Sequence, residues 1–317
     1  MSSTNVIFVI IILVILTVSI YLFWNREENN DASTEVPTLE PRVGYVELNV
    51  SNLDQSIQFY TEMIGFKVLN REANSATLTA NGVDPQLSLI EEEDAVERPV
   101  GTTGLFHFAI LVPTRQDLAL ALVHLSESGY PVQGGSDHQY SEALYLADPD
   151  NNGIEIYVDR DPNLWERDGN GGYVGGTFPL DVENLLTEIQ VAEWNGLPSG
   201  TRIGHMHLQV AEIQESEKFY VDALGFDIVA KDTHMLFVSK DAYHHHIGMN
   251  IWMGKGLPAP PENALGLRHY TIHFTKEEYE AAKVNFDSLG YTYSEDNNEI
   301  TVKDPSGTNI KIITSVA

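Results

Sequence analysis

VGYVELNVSNLDQSIQFYTEMIGF, residues 43–66, returns 160 positions later as IGHMHLQVAEIQESEKFYVDALGF, residues 203–226. Gly44/Gly204, Leu48/Leu208, Val50/Val210, Ser56/Ser216, Phe59/Phe219, Tyr60/Tyr220, Gly65/Gly225 and Phe66/Phe226 coincide. Each copy reads as a strand of period 2, a short turn, an amphipathic helix closed by glycine, and a second strand. Two shorter echoes pair as well: GLFHFAIL (104–111) with GLRHYTIH (266–273), and ADPDNNGIEI (147–156) with KDPSGTNIKI (303–312). The chain beyond Arg42 is therefore four like units of roughly 50–60 residues, in the order A, B, A′, B′.

The totals narrow the function. Lys plus Arg is 18 against 46 Asp plus Glu in 317 residues, a formal charge of −28, which excludes a nucleic-acid backbone or an anionic membrane surface as partner. With no cysteine, disulfides, thiol nucleophiles and thiolate metal sites are ruled out, so any metal must use His, carboxylate or backbone oxygen. Val6 to Trp24 is an unbroken run of 19 residues, weakly polar only at Thr17 and Ser19. As a helix it would span about 28 Å, the length of a transmembrane anchor. The polar, Pro-containing stretch after it reads as a flexible stalk. The expected organisation is an anchor at 1–24, a stalk at 25–42, a first domain at 43–160, a connection at 161–200 and a second domain at 201–317. The expected location is the cell membrane, single-pass, leaning to the exterior face. The connection holds GNGGYVGG, read as a surface loop because it lacks the strand-to-helix context of a phosphate loop, and a helical-looking 181–194.

The chemistry gathers on one set of strand positions. Each unit opens with a strand, and at its equivalent position stand Tyr45, His107, His205 and His269. Two residues further, on the same face, come Glu47, Ala109, His207 and Thr271, whereas Met206, Leu208 and Val210, or Phe108, Ile110 and Val112, face the other way. YLADPDNNGIEIY (145–157) is a hairpin whose Asp148, Pro149, Asn152 and Gly153 supply the turn, and it ends in a strand bearing Glu155. The matching position is Asn250 in the third unit and Lys311 in the fourth. Two neutral imidazoles and one carboxylate on one face, with coordination positions left open, suit non-haem Fe(II); Zn(II) or Mn(II) could use the same set. By parity His246 of Tyr243-His244-His245-His246 shares the inner face with Gly248, Asn250 and Trp252; the run is either a solvated loop or puts His246 there as an acid or base, and Tyr145, from the neighbouring strand, is either a core or a site residue.

HFAIL, SEALYLADPDNNGIEIY, IGHMHLQV and YHHHIGMN together resemble the vicinal oxygen chelate superfamily, and within it the bacillus-type extradiol dioxygenases of the catechol 2,3-dioxygenase kind. The resemblance runs from Val43 to the C-terminus. It implies an α+β fold of four βαβββ modules forming two open barrels, and a metal triad of His107, His205 and Glu155 holding Fe(II). It also implies His246 and Tyr145 as the acid–base pair and His138 as a substrate contact, with His207, Asn250 and Trp252 beside the substrate. The implied reaction cleaves a small aromatic diol with O2 next to the diol; a glyoxalase-like isomerase or lyase and a non-catalytic small-molecule binder are the alternatives, and a homo-oligomer is admitted. Chemistry also constrains which units pair. Glu155 and His107 belong to the second unit, and a first-unit partner would contribute Tyr45, whereas a third-unit partner contributes His205 and completes the triad. Units two and three are therefore expected to share the live site, leaving Tyr45, His269 and Lys311 in an empty one.

Overall fold

The computed structural model describes residues 42–169, 171–189 and 192–314. Module one comprises β1 (Val43–Val50), helix α1 (Leu53–Gln58, running on as a π-turn over Phe59–Ile64), β2 (Lys67–Arg71), β3 (Ser75–Thr79) and β4 (Leu87–Glu91). Module two comprises β5 (Gly104–Leu111), α2 (Arg115–Ser128), β6 (Gly134–Asp137), β7 (Ser141–Ala147) and β8 (Gly153–Asp159). The connection contributes the two-residue β9 (Phe178–Pro179) and α3 (Val182–Leu186). Module three has β10 (Arg202–Gln209), α4 (Ile213–Glu217, continued as a π-turn over Lys218–Ala223), β11 (Asp227–Lys231), β12 (Met235–Ser239) and β13 (Ile247–Asn250). Module four has β14 (Gly266–Phe274), α5 (Lys276–Leu289), β15 (Tyr293–Asp296), β16 (Glu299–Lys303) and β17 (Asn309–Thr314). The repeat extends to irregular detail, since both copies of the 43–66 motif put a π-turn at the same place.

Two open mixed sheets result, in the orders β15-β16-β17-β14-β1-β4-β3-β2 and β11-β12-β13-β10-β5-β8-β7-β6-β9. Module one thus joins module four and module two joins module three, as the ligand argument required, and each sheet draws on both sides of the connection. The first strands pair antiparallel at the centre, with Glu47 opposite His269 in one sheet and His107 opposite His207 in the other. Phe108, Ile110, Val112, Met206, Leu208 and Val210 are each at most 1% exposed, and they pack away from the polar face as the period-2 pattern demands. Helices α2 and α5 start in capping boxes, Thr114 with Asp117 and Thr275 with Glu278, and end at glycines in the left-handed region. Tyr60 donates to Asp148 at 2.8 Å and Tyr220 to Asp304 at 3.0 Å. The repeated tyrosine of one module therefore anchors the Asp-Pro turn of another.

Two sequence expectations are corrected. The anchor, and all of the stalk before Arg42, lie outside the described residues, and among the described residues no helix is long and apolar enough to cross a membrane. The longest, α2 and α5, have 14 residues each, against the ~20 that a span requires, so neither the membrane location nor the exterior lean is retained. Among the described residues, the helix expected over 181–194 covers Val182–Leu186, started by the Asp181 side chain accepting from the amide of Asn184. The described part of the Gly-rich segment is a surface loop, as read, and its Tyr173, Gly175, Gly176 and Thr177 also line a cavity against the second sheet.

Candidate active site

The register of the second sheet assembles the site. Ala109 on β5 lies opposite His205 of β10 on one side and Glu155 of β8 on the other, and Glu155 in turn faces Tyr145 of β7. The strands of His205 and Glu155 are separated by β5, whose fully buried Ala109 puts only a methyl between them. Both longer side chains reach over it toward His107, on the same face of β5. One ligand atom each from His107, Glu155 and His205 lies within 4.8 Å of the others, and all three residues are buried.

These residues fit a divalent cation. His107 Nε2 is 2.9 Å and His205 Nε2 3.3 Å from the same Glu155 oxygen, Oε2. His107 Nε2 is nonetheless buried without a hydrogen bond, so its approach is out of line with the carboxylate. Burial pushes the Glu155 carboxyl up, but His205 and His107 outweigh this and hold it well below the usual range. Burial also lowers His205 to about 4, overriding Glu155, so that imidazole is neutral at pH 7. The depression of Glu155 draws on positive charge that a neutral His205 does not carry. A metal ion held among the three would supply the counter-charge for the Glu155 carboxylate beside a neutral His205.

The triad opens on a cavity of ≈ 440 Å³. His138 and Tyr145 both line it, joined by a 2.7 Å hydrogen bond. His138 Nδ1 is 2.7 Å from the Gly176 carbonyl, which can only accept; Nδ1 therefore carries the proton, and the Tyr145 hydroxyl donates to Nε2. Burial, then the nearby Glu155 charge, raise the Tyr145 phenol well above its ordinary value, so it stays protonated. His207 lines the cavity beside His107, ring centres 4.9 Å apart. Trp252 lines the mouth.

Asn250 and His246 are not placed as expected. Asn250 is fully buried behind the cavity, donating to His207 Nε2 at 3.0 Å and accepting from the Trp252 amide, so it orients His207 rather than touching the cavity space. His246 points away too: its Nδ1 accepts from the Lys240 amide at 3.2 Å and lies 3.0 Å from Ser239 Oγ. Strand parity cannot be extended to it because β13 begins only at Ile247. Asp241 and Ala242, both left-handed at φ 56° and 57°, wind the chain before that strand. The histidine that enters the cavity is His245, with His244 beside it. The His244 and His245 Nδ1 atoms are 2.8 Å apart, and His244 Nε2 is 2.8 Å from Asp159 Oδ1. Burial lowers His245 well below the ordinary imidazole value. The histidine run was a visible signal, but its register was not. Gly204, fixed by the repeat, has a structural part here, since a Cβ there would lie 1.8 Å from the Tyr157 hydroxyl.

The first sheet fills the equivalent place with its own side chains. Tyr45 Oη is 3.0 Å from His269 Nε2, His269 Nδ1 is 3.3 Å from Glu47, and Lys311 pairs with Glu299 at 3.0 Å. Among the described residues, the three-ligand cluster is that of the second sheet.

A doubled fold with one buried two-histidine, one-carboxylate cluster on a polar sheet face describes a class, and comparison with known proteins gives it a family. The model of the glyoxalase/bleomycin resistance protein/dioxygenase superfamily matches residues 42–156 and 202–312, and the chain belongs to that superfamily. Catechol-2,3-dioxygenase of Bacillus subtilis (strain 168) is 45% identical over 279 residues, covering 86% of this chain and 98% of that protein. Biphenyl-2,3-diol 1,2-dioxygenase 3 of Rhodococcus globerulus is 27% identical over 124 residues, covering 38% of this chain and 65% of that protein. The crystal structure of glyoxalase I from Zea mays superposes with a TM-score of 0.54 at 17% identity, covering 86% of this chain and 92% of that one; this likeness is one of fold alone.

Proposed function

We propose that this chain is an extradiol ring-cleaving dioxygenase, an oxidoreductase that inserts both atoms of O2 into a catechol beside its vicinal diol, with Fe(II) held by His107, His205 and Glu155. The observation that carries the reading is the buried triad opening on a cavity lined by His138, Tyr145 and His245. When bound, Fe(II) supplies a redox-active Lewis acid with positions free for a diol and for O2. The protein supplies three things around it. Neutral His245, beside ligand His205, takes a diol proton and later returns one. Protonated Tyr145, its hydrogen given to His138 Nε2, presents its oxygen as an acceptor for a substrate hydroxyl. Phe106, Phe237 and Trp252 shield the ring from water. The acid–base part assigned from sequence to His246 is assigned here to His245.

The test is anaerobic preparation with Fe(II), followed by O2 uptake with catechol and absorbance of the ring-fission product. One O2 consumed per ring opened, dependent on Fe(II), is the expected result. Catechol binding without O2 uptake would make the chain a binder. Turnover of a thiohemiacetal without O2, supported by another divalent metal, would make it a glyoxalase-like isomerase.

A further inference from the structure

The cavity is larger than the ring it is read to cleave, and its two sides differ. An apolar space of about 150 Å³ is enough to take up benzene, whereas this cavity measures ≈ 440 Å³. Ser136, His138, Ser141 and Tyr145 furnish the side built from β6 and β7. The other side is mainly apolar, with Val229, Met235, Phe237, Phe106 and Trp252, and His207 set among the last three. Phe106 reaches it through an irregularity in β5, where the pairing steps from His107↔His207 to Leu105↔Leu208 and leaves Phe106 as the extra residue. Phe106 and Trp252 meet edge to face at 5.3 Å and are 39% and 54% exposed, so the apolar wall continues out to the mouth.

Among the described residues, neither lysine nor arginine lines this space. Arg167, which touches the lining residue Tyr173, lies over that ring at 4.0 Å and donates to the Gly171 carbonyl at 2.8 Å. The formal charge of −28 adds a repulsive field for an approaching anion. A carboxylate on the ring, directed away from the metal site, would leave water and find no lysine or arginine to pair with. An apolar substituent would find a wall already exposed and in need of cover.

Resting on the ring-cleaving reading above, we propose that the substrate is a catechol bearing an uncharged apolar group, alkyl or aryl, seated against Phe106, Met235, Phe237 and Trp252, and that carboxylated catechols are excluded. The full Fe(II)-loaded protein would be assayed with catechol, 4-methylcatechol, 4-phenylcatechol and 3,4-dihydroxybenzoate. The same compounds would be titrated without O2, following tryptophan fluorescence. Methyl- and phenylcatechol should match or exceed catechol in both affinity and kcat/KM, with dihydroxybenzoate at least about 100-fold below methylcatechol. Met235→Arg should narrow that gap by about tenfold or more by supplying the absent cation. Dihydroxybenzoate within about tenfold of methylcatechol, or phenylcatechol bound more than about tenfold worse than catechol, would overturn the proposal. The anaerobic titration separates the two readings: neutral catechols bound in the stated order but never cleaved would defeat the ring-cleaving reading and leave the preference standing.

Discussion

The ring centres of His205 and His245 lie 4.2 Å apart, which puts an imidazole outside the triad against one that belongs to it. His245→Ala should therefore keep iron near the parent level while kcat falls by about 10²–10⁴-fold, the usual loss for an acid–base group. His246→Ala should behave differently. It removes a buried hydrogen-bonding ring outside the cavity, lowering stability by about 1–3 kcal/mol while most turnover survives. Iron content, steady-state kinetics and thermal melts of the two variants decide between them, and a reversed pattern would return the role to His246.

Tyr145 and His138 act as one unit through their 2.7 Å bond. Tyr145→Phe should lower kcat by about 10–100-fold without loss of metal, and His138→Ala should give a similar loss, because the phenol is then no longer held in its orientation. The double variant should be little worse than either single one, as expected of partners sharing a function. Losses that multiply would show the two residues working independently.

Metal binding should be sensitive to Ala109, a residue that offers no ligand atom. Ala109→Leu would fill the space over which His205 and Glu155 meet, and overpacking of this kind costs about 1–3 kcal/mol. The expected outcome is a folded protein with native-like circular dichroism that binds less than about one tenth of the parent's iron. A variant that binds iron normally would mean that the register does not set the ligand spacing.

Asp304 predicts a pH dependence of stability unconnected with the metal. Burial lifts its carboxyl from an ordinary 3.8 to about 6, although the Tyr220 hydroxyl and the amides of Ser306 and Thr308 donate to it. Between those values the folded state holds a proton that the unfolded chain has released. Stability therefore falls as pH rises from about 4 to about 6, and the cost, roughly 3 kcal/mol, is complete above that range. Asp304→Asn should flatten this part of the curve, as read by denaturant unfolding at a series of pH values. Parallel curves for parent and variant would count against the assignment.

Much of this architecture is legible because the repeat at 43–66 and 203–226 states it twice, and because Glu155, as the one carboxylate at its position, leaves a single sensible pairing of modules. The strand-borne residues His107, His205 and Tyr145 obey period 2, so their faces can be read directly. His245 could not be read this way, since it sits in a turn whose left-handed residues reset the alternation. The cavity wall at Tyr173 to Thr177 was invisible for a related reason. A glycine-rich stretch carries no periodic signal, and its placement depends on β9 adding to the sheet edge beside β6. Ala109 announced nothing, because its contribution is the volume it leaves open.

The pairing of modules is nested like brackets, with the second and third inside the first and fourth. His107 meets His207 across 100 positions of chain, whereas Glu47 meets His269 across 222. Closing the outer pair from an open chain costs only about 0.6 kcal/mol more than closing the inner one, since loop entropy grows slowly with length. The order of events is affected more strongly. Once the inner sheet has formed, the outer modules are tethered to one folded body and need to search only its surroundings, whereas the reverse order would leave the inner modules to fold inside a closed loop. The sheet that carries the triad is thus the one whose assembly does not have to wait for the first and last modules to meet.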